Sequence, residues 1–206
     1  MFALVESGKI TKYLKGNKGI TIGDNKYPQA IFTLWSKDER EAIGIYDIET
    51  DSTNYKDKKW YINTNESYTF ANNKVTRSWG TATAKAHEDT LWTEEDKTDG
   101  NIPEGKDVGD VKVEGLKTIL IRNVKAQAAK ELQNTDWYII RKADAGTAVP
   151  SAITTHRAAV RTKAAEMETA ITNASDTPAL ETLYTYTKQE DGSVTRPLGE
   201  LPRLES

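Results

Sequence analysis

The chain has 206 residues, a formal net charge of -3 at pH 7 with both signs well represented, and no cysteine. Disulfides, thiol nucleophiles and thiolate metal sites are thereby excluded. The charge balance also disfavours nucleic acid, whose binders carry a basic patch or a high isoelectric point. No apolar run approaches the roughly 20 residues that span a bilayer, and Met1–Glu6 is too short and too soon acidic to read as a signal peptide.

Phe2-Ala-Leu-Val-Glu6 and Ile10-Thr-Lys-Tyr-Leu14 read as strands about a hairpin turn at Ser7-Gly8. Gly19–Ile22 and the turn residues Gly23–Lys26 follow, and Ile31-Phe-Thr-Leu-Trp35 has the length and apolarity of a strand. Ser36 with Glu39 three places on has capping-box spacing, which predicts a short helix over Asp38–Ile43, stopped by Gly44. Ile45–Ile48, Trp60–Asn65, Ser67–Phe70 and Lys74–Trp79 read as further strands, with Asn72-Asn73 as a reversal because Asn tolerates positive φ. Residues 1–86 are therefore expected to form a small antiparallel β-rich unit.

Composition shifts over residues 87–109. Acidic residues dominate, and Gly100, Pro103, Gly105 and Gly109 break any periodicity, so an acidic linker is expected, with Leu91-Trp92 as an apolar anchor inside it. Residues 110–174 read as a helical hairpin module. Leu116, Leu120, Val124, Ala128 and Leu132 recur every fourth residue, one stripe of a helix that Asp110 could cap unless Gly115 delays its start. Pro150 suits the first turn of a second helix, whose stripe is Ile153, His156, Val160, Ala164, Met167 and Ile171. The two stripes predict antiparallel packing. Residues 175–206 are expected to hold one short element and an extended tail. The fold class is thus α+β.

Reaction chemistry finds no support. His87 and His156 lie in different segments with no nearby second ligand, and a metal needs converging ligands, so no metal and no cofactor is expected. His156 on a helix stripe reads as a packed residue. Glu94-Glu-Asp96 reads as solvated acids rather than a catalytic pair, and Asp96–Gly100 fails the calcium-loop spacing. The chain is not expected to be an enzyme. Arg157 and Arg161, with Arg141 and Lys142 upstream, read first as a solvated basic face or as ion pairs to Asp136 and Asp144. The sharper reading is a contact patch for an acidic partner segment. Trp137 and Tyr138 divide in the same way. Flanking Ile139 and Ile140 favour a core plug at the end of the helix pair, whereas Trp and Tyr are also common interface hot spots.

Leu132-Gln-Asn-Thr-Asp-Trp137, followed by Arg141, Gly146, Pro150 and the helix bearing Arg157 and Arg161, resembles the C-terminal module of bacteriophage tail fibre assembly proteins. Met1-Phe-Ala-Leu-Val-Glu-Ser-Gly8 and Leu34-Trp-Ser-Lys-Asp-Glu-Arg-Glu-Ala-Ile-Gly-Ile-Tyr46 look like the small N-terminal unit of phage tail proteins that carry that module. The resemblance leaves residues 50–110 unmatched, and this chain continues beyond the usual end of the module. It implies a non-catalytic chaperone or adaptor that binds a tail fibre or tail polypeptide in the host bacterial cytoplasm, through Trp137, Tyr138, Arg141, Arg157 and Arg161. The alternative is a structural subunit retained in the virion tail. A homo-oligomer is compatible with either, and neither implies nucleic acid or membrane binding.

Overall fold

A computed structural model describes residues 1–204 and divides the chain into two compact units, Met1–Thr83 and Ala84–Ser206. The class is α+β.

The first unit is built on a five-stranded sheet of β1 (Phe2–Glu6), β2 (Lys9–Leu14), β5 (Ile45–Thr50), β7 (Ser67–Ala71) and β8 (Lys74–Ser78), in the order β2-β1-β5-β8-β7. Neighbours are antiparallel except β5 and β8, which run parallel, so the sheet is mixed where a wholly antiparallel one was expected. A side hairpin of β3 (Ile20–Ile22) and β4 (Asn25–Tyr27) follows β2. Side chains alternate across a strand, and β1 uses both faces. Leu4 packs with Ile20, Ile31, Phe32 and Ile45, whereas Ala3 and Val5 pack with Val75.

Ile31–Trp35, expected as a strand, is instead the four-residue helix α1 (Ile31–Leu34). The Pro28 and Ala30 carbonyls accept from Ile31 and Leu34, closing a helical turn that drops Ile31 and Phe32 into the core. Helix α2 (Lys37–Ala42) has the capping box that Ser36 and Glu39 announce. The strand expected at Trp60–Asn65 contracts to β6 (Tyr61–Ile62), and β9 (Thr83–Ala84) lies at the boundary of the units.

Residues 87–109 are not a structureless linker. They carry β10 (Thr90–Leu91) and α3 (Glu94–Thr98), and β10 pairs with β11 (Val111–Val113). Thr93 and Asp96 form a second capping box, and the Lys112 ammonium both pairs with Asp96 and sits over the Trp92 ring. Their acids are thus partly committed to local structure.

The first long helix, α4 (Leu116–Gln133), starts after Gly115 rather than at Asp110, because β11 occupies the residues between. Its first N–H groups find partners outside the helix: Leu116 donates to the Ala86 carbonyl and Lys117 to that of His87. Gly115 is pressed so closely on Glu88 that a Cβ there would lie 2.3 Å from its carbonyl. The other long helix, α6 (Ser151–Asn173), has Pro150 at its N-cap. Leu132 meets Arg157 and Lys125 meets Glu168, so α4 and α6 run antiparallel. Leu116, Leu120, Val124 and Ala128 of α4 and the whole expected stripe of α6 are buried.

Residues 175–204 do not form the expected extended tail, whose last two positions, 205 and 206, lie outside the described residues. Helix α7 (Thr177–Tyr184), capped by Asp176, is followed by a hairpin of β12 (Thr187–Lys188) and β13 (Val194–Thr195). The chain then folds back so that Leu198 is buried and its N–H donates to the Leu183 carbonyl.

Candidate functional site

Between α4 and α6 the expected loop is a third helix, α5 (Asp136–Ala145). Its local causes are simple. Thr135 turns the chain after α4, bonding back to the Leu132 carbonyl through both N–H and hydroxyl. Asp136 places a carboxylate in the first turn, where the helix dipole favours it. Gly146 closes the helix at φ 67°, a left-handed conformation natural to glycine, and donates to the Lys142 carbonyl.

What fixes α5 is Arg157 of α6. Its Nη1 donates to the Leu132 carbonyl at 2.8 Å and to the Thr135 hydroxyl at 2.7 Å, and pairs with Asp136 at 2.8 Å. Arg157 is only 7% exposed and Thr135 is fully buried. For Arg157 this corrects the expectation of a solvated face and bears out the alternative of an ion pair to Asp136. One guanidinium group satisfies the carbonyl end of α4 and the start of α5 together. Arg161, one turn on, is exposed, with a marginal contact of 3.5 Å to the Arg157 carbonyl.

The aromatic pair also departs from expectation. Trp137 is 49% exposed and is not a plug at the end of the helix pair. Its ring lies 4.0 Å from that of Tyr138, and the Arg141 guanidinium sits 4.6 Å from the Trp137 centroid and 5.5 Å from that of Tyr138. Arg141 Nε is buried without a hydrogen-bond partner among the described residues, held by the rings rather than by an acceptor. Ile139 and Ile140 are 42% and 66% exposed, and no residue of α5 is buried. Trp137, Ile140 and Arg141 follow the three-and-four spacing of one helix face.

The five sequence candidates therefore divide. Trp137, Tyr138 and Arg141 form one cluster on α5, Arg157 anchors that helix from beneath, and Arg161 stands apart. Sequence reasoning overlooked Thr135, Ile139 and Ile140 as parts of the site. Hydrophobicity alone assigns isoleucines to a core, and only the exposure of Ile139 and Ile140 among the described residues shows otherwise.

Among the described residues no cluster of three or more His, Asp or Glu side chains could hold a metal ion. His156 is buried on the α6 stripe. No helix among the described residues is long and apolar enough to cross a membrane. Comparison with protein-family models, with curated proteins and with solved structures finds no match.

Proposed function

We propose that this protein is a non-catalytic adaptor of phage tail fibre assembly that holds a fibre or tail polypeptide on the exposed face of α5, in the cytoplasm of the host bacterium. The observation that carries the binding part of this reading is α5 itself. It is a rigidly anchored ten-residue helix that shows a tryptophan and two isoleucines to solvent. An exposed cluster of large apolar side chains rimmed by charge is what an interaction site looks like, and Trp, Tyr and Arg are the residue types that dominate binding energy at such sites. Arg157 supports the reading as an organiser, since its three contacts hold the helix in place before any partner arrives. The assignment to tail fibre assembly rests on the resemblance of the Leu132–Trp137 stretch and the helix after Pro150.

The test is co-expression with the tail fibre polypeptide encoded nearest to it, followed by affinity capture. Wild type should retain the fibre chain, whereas Trp137→Ala and Ile140→Ala should lose it while melting close to wild type. Equal capture by wild type and both variants would remove α5 from the function. Stoichiometric amounts of the protein in purified virions would replace the assembly role with that of a structural tail subunit.

A further inference from the structure

We propose that the first unit carries a saccharide-binding cleft between the segment following β5 and strand β8, a site separate from α5 and independent of its role. The cleft holds about 320 Å³, within the roughly 300–1,000 Å³ of small-molecule sites. One wall is the edge-to-face pair of Tyr55 and Trp79, whose ring centroids lie 4.7 Å apart with planes at 60°. Arg77, Lys58 and Glu66 supply its charged side, and Thr50 and Ser52 add hydroxyls.

The polar groups are set before a ligand arrives. Glu66 Oε1 accepts from the Arg77 Nε at 2.8 Å and from the Tyr68 hydroxyl at 2.7 Å. The Tyr68 hydroxyl bond and the Arg77 bond hold the Glu66 carboxyl below its usual range, so it is an acceptor at neutral pH. Because Arg77 reaches Glu66 through Nε, its two terminal nitrogens are not spent on that bond. The guanidinium lies 4.5 Å from the Trp79 centroid, which fixes its plane.

The aromatic wall is equally constrained. Asp51 N–H donates to the Arg77 carbonyl, and the Asn54 amide donates to that of Trp79. Asp51 also accepts from both the N–H and the hydroxyl of Thr53, and Asn63 brackets Lys56 with two bonds. The segment bearing Tyr55 is thus tied to β8, yet Tyr55 remains 39% exposed. A rigid, exposed aromatic beside fixed polar groups avoids the ordering cost that binding otherwise incurs.

The ligand class follows from this mixture. A pyranose has faces of C–H groups, whose positive hydrogens suit the negative face of an aromatic ring. Its edges are hydroxyls, each a donor and an acceptor. A carboxylate acceptor beside a guanidinium donor meets that dual demand. No aliphatic side chain lines the cleft, which argues against a purely apolar ligand.

Glucose, N-acetylglucosamine and galacturonate titrated in turn into the full chain to high millimolar concentration provide the test, read by amide and indole N–H resonances. At least one should shift the Trp79 indole and the Tyr55 amide saturably. Tyr55→Ala should melt as wild type and bind about tenfold more weakly, a loss of roughly 1.4 kcal/mol. Arg77→Lys keeps the charge, loses the planar fork and should weaken binding as well. The proposal is overturned if none of the three sugars shifts Trp79, if inorganic phosphate alone does so, or if Tyr55→Ala binds like wild type.

Discussion

Helices α5 and α6 stand side by side in sequence, and both carry large apolar residues, but they use them oppositely. In α6, Ile153, Val160, Met167 and Ile171 fall on one stripe and are buried against the antiparallel α4. In α5, Trp137, Ile139 and Ile140 are exposed, and the helix is held by the polar contacts of Arg157 at its first turn. A long stripe can bury itself because it repeats over several turns. The ten-residue α5 is too short for such a repeat, and its large apolar side chains stay exposed among the described residues. Apolar content alone therefore does not separate a buried helix from an exposed one; the number of turns that pack does.

The largest effect should come from the core side of this contrast. Met167→Ala removes a fully buried side chain and should cost about 2–5 kcal/mol, the usual range for such truncations. Chemical denaturation should place the loss in the second unit and leave the first unit's transition unchanged. A loss below about 1 kcal/mol would mean that the α4–α6 seam is loosely packed. Next comes Arg157→Met, which keeps a long stem but strips Leu132, Thr135 and Asp136 of their shared donor. Asp136 is half exposed and can be rehydrated, and the Leu132 carbonyl keeps the Thr135 N–H and hydroxyl, so the cost is mainly that of the buried Thr135 hydroxyl, about 1–3 kcal/mol. Hydrogen exchange in α5 should rise more than in α4 or α6. Equal change in all three helices would deny Arg157 its part as the anchor of α5.

A smaller effect is expected on the exposed side. Trp137→Ala should cost about 1 kcal/mol or less, because half the indole is already in water and only its stacking with Tyr138 and Arg141 is lost. A core plug would cost about 3–5 kcal/mol, so thermal melting decides between the two roles. This residue also marks where the sequence stops being legible. The stripes of α4 and α6 could be read because their period repeats, and Ser36 with Glu39 because a cap is a local device. The strand pairs at Ser7-Gly8 and Asn72-Asn73 were legible for the same reason. Trp137 was not, since its exposure depends on what fails to pack against it. Ile31–Leu34 misled because four apolar residues fit a strand and a helical turn equally well. The acidic stretch misled because Thr93 and Asp96 cap a helix with none of the periodicity that usually announces one. The parallel pairing of β5 with β8 is a matter of topology that neither strand's own residues declare.

The smallest effect concerns the two capping boxes, one in each unit, which share a motif but differ in their electrostatics. Glu39 is held below the usual carboxylate range by the Ser36 hydroxyl and then the Ser36 N–H. Asp96 is lowered first by its bond to the Lys112 ammonium at 2.6 Å and then by the Thr93 backbone. Both carboxyls are depressed in the folded chain. Each therefore stabilises fully above its unfolded pKa, and that contribution is lost as pH falls through the folded value. The difference lies in the source of the shift. A cation's pull is screened by salt, whereas a hydroxyl's bond is not. In a carboxyl-carbon NMR titration both midpoints should lie below the ordinary range at low salt. Raising the salt should move Asp96 upward more than Glu39. Lys112→Ala should raise Asp96 and leave Glu39 still, and Ser36→Ala should do the reverse. If Asp96 keeps its midpoint in Lys112→Ala, its depression comes from the cap alone, and the two boxes are electrostatically the same device.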